Sequence, residues 1–298
     1  MTQKCKQNRI KCGSSETLRA VCSKQISNIN IKTRRAHKSP QFFSHWLAGL
    51  IDGDGSLLVS KQGYSSCEIT VAEREWKILE TVKSRLGGSI KPRTGVRALR
   101  WRMHNRGGMR QLIELINGKL CLPEKEEQLK KVCHVLQLQP LLGARPQPNN
   151  GWCAGFFEAE GYLHINSSTL QCSITLSQKK VEILERIACH FPAPIYHDKG
   201  WDGWLYAASS KESLFFWVKY FSRFPLISWK QIQLHRFKRV LLYKDRGVHR
   251  LGTGRPLQRF QRLLKEFAGV AAGGKEYVDY NLIESDESEQ KDKVQTVK

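Results

Sequence analysis

Two stretches decide how this chain is read: WLAGLIDGDGSL at residues 46–57 and WCAGFFEAEGYL at 152–163. They align without a gap, 106 residues apart. Further along, ITVAEREWKILETV at 69–82 aligns with ITLSQKKVEILERI at 174–187, and KEEQL at 125–129 with KQIQL at 230–234, both 105 residues apart. Three blocks in one order at a nearly constant separation make the chain a duplication of a unit of about a hundred residues. PLLGARPQPNN at 140–150, with its prolines and paired asparagines, is the join. The divisions are therefore residues 1–38, a basic flexible arm or leader; 39–139, the first repeat; 140–149, the linker; 150–272, the second repeat; and 273–298, an acidic flexible tail.

Each unit opens with a helix. Ser39 and Pro40 suit its first turn, Asn149 or Asn150 caps the second copy, and Gly55 and Gly161 end the two helices. Alternating segments follow. Arg100, Arg102 and His104 share one face, opposite Trp101 and Met103; Gln171, Ser173, Thr175 and Ser177 oppose Cys172, Ile174 and Leu176. Leu57–Ser60 is a weaker strand signal. Helices are expected at about 75–86, 109–117, 126–138, 180–190, 212–222, 230–243 and 256–268. The pattern describes an α+β protein whose sheets are covered by helices on one face and open on the other.

The full chain has 298 residues, 49 Lys+Arg against 27 Asp+Glu, and a net charge of +22. That excess points to a polyanionic partner, DNA or RNA, with an anionic membrane surface as the weaker fit. It divides into +9 on residues 1–40, −3 on 275–298 and +16 on the duplicated middle. No apolar run approaches the roughly 20 residues of a membrane span, and the start MTQKCKQNRIKCG lacks the apolar segment of a secretory signal. The basic start suits an arm or an organelle-targeting or translational leader. Nine cysteines without a C-x-x-C pair read as reduced thiols, not as a zinc site.

The chemistry lies in acids. Ala48 and Gly49, and Ala154 and Gly155, would let the opening helices approach closely and bring their C-terminal ends together. Those ends carry Asp52 and Asp54 from one copy and Glu158 and Glu160 from the other. Single acids at helix ends commonly cap or pair with Lys/Arg. Here an acid recurs at both positions of both copies, while Leu50/Phe156 and Ile51/Phe157 drift. Converging carboxylates repel, and a divalent cation removes the conflict. Hard oxygens suit Mg²⁺, bound through few carboxylates together with phosphates, and such a site on a nucleic-acid surface suits phosphodiester hydrolysis.

Leu47–Gly55 is nearly letter for letter the LAGLIDADG motif of homing endonucleases, and 152–162 resembles a divergent second copy. The resemblance covers about residues 40–270 and is to the monomeric, double-motif branch. It implies two αββαββα halves, motif helices at the interface and saddle-shaped antiparallel sheets over the DNA major groove. By resemblance, Asp54 and Glu160 are the metal ligands, joined by the carbonyls of Gly53 and Ala159, while Asp52 and Glu158 are structural. Glu73 and Gln178 take the water-holding position after the second strand, and Lys125 and Lys230 the basic position of a late helix. The ion implied is Mg²⁺, with Mn²⁺ as substitute and Ca²⁺ binding without supporting cleavage. Glu160 in place of Asp makes the halves unequal.

The DNA-reading residues expected are Arg100, Arg102 and His104 in the first half, and Tyr162, His164, Asn166, Gln171, Ser173 and Thr175 in the second. Differing side chains imply an asymmetric target. The resemblance implies cleavage of both strands across the minor groove, short 3′ overhangs, one chain acting as a monomer with internal pseudo-two-fold symmetry, and residence in a mitochondrion or chloroplast. An intron-splicing maturase that binds intron RNA and a cleavage-dead DNA-binding relative are the alternative readings.

Overall fold

The structure, a computed structural model, describes residues 39–271, with side chains to 268; the basic arm at 1–38 and the acidic tail from 273 lie outside the described residues. The first half runs α1 (Pro40–Asp54), β1 (Gly55–Val59), β2 (Ser65–Ala72), a 3₁₀ turn (Glu73–Glu75), α2 (Trp76–Leu86), β3 (Ser89–Pro92), β4 (Ala98–Met103), α3 (Arg106–Ile116) and α4 (Pro123–Leu136). The second repeats it: α5 (Trp152–Glu160), β5 (Gly161–Ile165), β6 (Cys172–Gln178), α6 (Glu182–Ala188), β7 (Ile195–Asp198), β8 (Gly203–Ala208), α7 (Lys211–Arg223) and α8 (Lys230–Asp245). Each half is thus αββαββα with one further helix. The sheets are antiparallel, ordered β1-β2-β4-β3 and β5-β6-β8-β7.

By compactness the chain divides after Arg246. Both halves lie in the first unit. In the second, a 3₁₀ turn (Val248–Arg250) packs against α9 (Arg255–Ala271), where Phe260, Leu263 and Phe267 are buried at helical spacing. Among the described residues, no helix is long and apolar enough to cross a membrane.

Burial follows the two-residue period of a strand. On β2, Cys67, Ile69 and Val71 are buried while Glu68 and Thr70 are part-exposed; on β4, Trp101 and Met103 are buried and Arg102 is exposed. Helices cover the apolar face, and the second half fills with aromatics. Phe191 stacks on Trp217 at 4.2 Å. Trp217 Nε1 donates to the Tyr206 hydroxyl at 2.8 Å, and that hydroxyl donates to Phe191 O at 2.6 Å. The buried polar atoms of these large rings are therefore satisfied. Tyr220 donates to Asn150 O at 2.7 Å and accepts from Ala154 N at 3.0 Å, fixing the linker's end to the start of α5.

The helix starts differ from expectation in detail. Ser39 is the N-cap of α1, but its side chain makes no capping hydrogen bond; Pro40 at the first helical position has no N–H to satisfy. For α5 the N-cap is Gly151 rather than Asn149 or Asn150, and the Asn150 side chain beside it accepts from Trp152 N at 2.9 Å. Strands β3 and β7 escape a pattern reading because they are four-residue sheet edges with little burial. Helix α6 is shorter than 180–190, starting at Glu182.

What positions everything else is the crossing of α1 and α5. A Cβ added at Gly49 would lie 2.0 Å from Trp152 O, and one added at Gly155 would lie 1.8 Å from Trp46 O. Ala48 and Ala154 are fully buried beside them. Backbone meets backbone at this crossing, so no side chain can rotate away to admit a methyl group. Gly49→Ala or Gly155→Ala is expected to destabilise the protein by about 3 kcal/mol or more, measured by denaturant unfolding; a loss below about 1 kcal/mol would contradict the crossing.

Candidate functional site

The crossing carries the C-terminal ends of α1 and α5 together. A Cβ at Gly53 would fall 2.2 Å from Ala159 Cβ and 3.6 Å from Glu160 Oε1. Asp54 and Glu160 end the two helices side by side, each part-exposed. Burial, then the charge of Glu160, then that of Glu75, push the Asp54 carboxyl up to about 7, against the pull of Lys230 and Lys125. Burial also raises Glu160, offset by a hydrogen bond from Gln178 and by Lys230 and Lys125. Two carboxylates that resist ionising together, with an amide beside one of them, form a hard-oxygen donor set whose repulsion a divalent cation would relieve. Among the described residues no group of three or more His, Cys, Asp or Glu stands assembled as a metal cage. The residues fit an ion of the Mg²⁺ kind, which is completed by phosphates and water.

The other motif acids do different work. Asp52 is buried; its Oδ2 accepts from Cys121 N at 2.7 Å and from Trp152 Nε1 at 2.8 Å, and its Oδ1 from Leu122 N at 3.4 Å. It therefore caps the turn into α4 and ties it to the other half. Burial raises its carboxyl to about 7. Glu158 does the same for α8, accepting from Ile227 N, from Ser228 N at 3.0 Å and from Ser228 Oγ at 2.5 Å. Helices α4 and α8 are those that carry the lysines. Lys125 Nζ donates to Gly55 O; Lys230 Nζ donates to Glu158 O at 2.6 Å and Phe157 O at 3.2 Å. Each ammonium sits at the negative end of a motif helix, next to Asp54 and Glu160.

Glu73 does not join this group. It is exposed at the start of the 3₁₀ turn, and the buried acid there is Glu75, whose Oε1 accepts from Trp229 Nε1 at 3.2 Å and lies 3.8 Å from Lys230 Nζ. The repeat spacing that equates Glu73 with Gln178 does not hold through the sheets. Gly55 pairs with Ile69, but Gly161 pairs with Leu176, so the second strands match at 107 residues rather than 105. Glu75 was legible only as one letter of a charged AEREW run.

On the first sheet's open face Arg100, Arg102 and His104 line one groove with Ser66, Ser89 and Lys91. Glu68, which sequence reading overlooked, holds both arginines: Oε2 lies 3.1 Å from Arg100 Nη1 and Oε1 3.1 Å from Arg102 Nε. On the second sheet Tyr162 and His164 are exposed with rings 6.2 Å apart, opposite Thr175 and Ser173. Asn166 and Gln171 lie beyond the strand ends, in the turn. Asn166 Oδ1 accepts from Ser168 N at 3.0 Å and Thr169 N at 2.9 Å, so that side chain braces the loop instead of standing on the sheet face. Cys67, Cys121, Cys133, Cys153 and Cys172 are buried and Cys189 is exposed; Cys5, Cys12 and Cys22 lie outside the described residues.

Comparison with known proteins matches the LAGLIDADG endonuclease family model twice, at residues 47–136 and 153–241. An "Intron-encoded RNA maturase bI4" of Saccharomyces cerevisiae is 36% identical over 176 residues, 57% of this chain and 28% of that protein. A "Probable intron-encoded endonuclease aI2" of Debaryomyces hansenii is 30% identical over 238 residues, 74% of this chain and 36% of that protein. The chain thus spans about a third of the length of these two relatives. Among solved structures, I-SmaMI bound to uncleaved DNA target in the presence of calcium ions superposes with a TM-score of 0.53 at 18% identity, covering 76% of this chain and 98% of that one.

The raised carboxyls have a consequence for stability. Asp54 ionises near 3.8 when unfolded and near 7 when folded. Its contribution to stability is full below the lower value and is lost as pH rises to the upper one. In EDTA, Asp54→Asn should therefore melt increasingly above the parent as pH rises from about 4 to about 7, and the gap should then level off. A gap that is constant or shrinks across that range in thermal melts would contradict the siting of Asp54.

Proposed function

The chain belongs to the LAGLIDADG endonuclease family, and from that premise we propose that it is a site-specific DNA endonuclease that hydrolyses both strands of a long, asymmetric target. The observation that carries this reading is the convergence of Asp54 and Glu160, in a strongly basic protein, between two sheets whose open faces are polar. The similarity in fold to a DNA-bound, calcium-containing structure supports it.

In this reading the open sheets lie in the major groove. Arg100 and Arg102 offer paired donors to guanine edges, while His104, Tyr162, His164, Ser173 and Thr175 add polar and stacking contacts. The remaining Lys and Arg hold phosphates and make affinity steeply dependent on salt. Asp54, Glu160 and Gln178, with the carbonyls of Gly53 and Ala159, would hold divalent ions. Mg²⁺ is the natural one, Mn²⁺ a substitute, and Ca²⁺ a binder that does not support cutting. The chemistry an ion bound there would supply is activation of water and neutralisation of charge on the leaving oxygen. Lys125 and Lys230 place positive charge near the phosphates, and the capping by Asp52 and Glu158 holds those lysines in place. Cuts across the minor groove would leave short 3′ overhangs. One chain supplies both halves, so it acts as a monomer. Intron-encoded relatives support residence in an organelle.

A second reading has its own support, the 36% identity to an RNA maturase: the chain binds intron RNA and assists splicing. The two separate cleanly. Asp54→Asn or Glu160→Gln should lower double-strand cleavage by at least about 100-fold while leaving DNA affinity within about threefold, and EDTA should stop cutting. Incubation with a randomised duplex library in Mg²⁺, followed by sequencing of cut ends, reports activity, target and overhang. Cleavage that survives both substitutions would overturn the site, and splicing assistance without cleavage would establish the second reading.

A further inference from the structure

The two lysines at the site both act on Asp54 and Glu160 but stand in unequal electrostatic settings, and the difference comes from one exchange between the repeats. The 3₁₀ turn after β2 crosses to the start of α8, and the segment after β6 crosses to the start of α4. At the repeat spacing of 105, Glu75 corresponds to Lys180, Trp229 to Glu124, and Lys230 to Lys125. The same cross-half contact is therefore made twice with the charges reversed. In one, Glu75 accepts from Trp229 Nε1 at 3.2 Å and faces Lys230 Nζ at 3.8 Å, the Glu75 and Lys230 side chains being 11% and 10% exposed. The Arg74 guanidinium lies over the Trp229 ring at 4.3 Å and closes the contact from outside. In the other, Lys180 pairs with Glu124, the side chains being 61% and 43% exposed. Lys125, beside Glu124, takes Gly55 O and makes no ion pair among the described residues.

A buried carboxylate offsets a neighbouring ammonium far more than an exposed one does, because little solvent screens it. Lys230 is fixed by the carbonyls of Phe157 and Glu158 at shorter distances than Glu75, so Glu75 governs its charge more than its position. We propose that Glu75 is a positioning residue that holds Lys230 electrostatically neutralised, leaving Lys125 the more effective lysine and making the two strand cuts unequal in rate. The proposal rests on the nuclease reading. It goes beyond the difference between Asp54 and Glu160, because it assigns the inequality to a residue outside the motifs.

The test uses the full chain and a supercoiled plasmid carrying a site recovered from the randomised library. The parent should accumulate nicked circles before linear product. Glu75→Gln keeps an oxygen acceptor for Trp229 Nε1 but removes the charge; it should bring the two strand-cutting rates closer by about threefold or more. Glu75→Asp should retain the parent's ratio, and Glu124→Gln, which removes an exposed carboxylate whose hold on Lys180 and Lys125 solvent screens, should leave it unchanged. Binding to the same duplex in Ca²⁺ gives an independent readout. The charge released on Lys230 should steepen the slope of log affinity against log salt by about 0.9 in Glu75→Gln. Thermal melting checks that each variant is folded. An unchanged or widened ratio in Glu75→Gln, or a parent that cuts both strands at one rate, overturns the proposal. A parent that binds but never cuts overturns the nuclease reading instead; the salt slope then decides the charge assignment alone, and an unchanged slope rejects it.

Discussion

The contact on which the structure depends is between two backbones. Gly49 and Gly155 allow α1 and α5 to cross with no side chain between them, each glycine lying against a carbonyl of the opposite helix. Because the helices have the same length of motif beyond the crossing, their ends coincide. Four acids arrive within one small volume: two are used to hold the fold and two are left facing each other. Dispersion and burial at the crossing supply the energy that keeps Asp54 and Glu160 in a setting they would otherwise avoid. Burial first, and the facing Glu160 charge second, raise the Asp54 carboxyl there.

A division of labour within the motif follows. The first acid of each pair is buried, Asp52 and Glu158 capping the turns into α4 and α8, and Asp52 also holding Trp152 of the other half. Those turns set where Lys125 and Lys230 begin, and both lysines reach the helix ends from which the acids came. Each half is therefore a closed loop of constraints: motif helix, buried acid, capped helix, lysine, and motif helix again. The halves differ in what crosses between them, Glu75 in one direction and Lys180 in the other.

Much of this was legible in the sequence because the signals were redundant. The repeat gave two readings of the conserved blocks, so the motif helices, their glycine ends, and the spacing of Lys125 and Lys230 were each stated twice. Period-two burial placed Arg100 and Arg102 opposite Trp101. What stayed hidden depends on pairing rather than on pattern. The strand register shifts by two residues between the halves, a change that keeps every side chain on its face and so leaves no trace in hydrophobicity. That shift is why Glu73 lies outside the cluster. Glu75 is buried and bonded to a residue more than 150 positions away, and Glu68 is paired with arginines on a neighbouring strand; neither has a local signature. Asn166 reads as a strand residue by alternation, yet braces the turn because the strand ends one residue earlier.

In the proposed reading, the crossing brings Asp54 and Glu160 onto common cations at a DNA backbone. The most direct measurement is a crystal structure of the chain with target duplex and Mn²⁺, read through the anomalous signal of the metal. The expected result is Mn²⁺ density within about 2.0–2.6 Å of carboxylate oxygens of Asp54 and Glu160 and of a DNA phosphate. Mn²⁺ density bound elsewhere, with Asp54 and Glu160 paired only to Lys125 and Lys230, would contradict it.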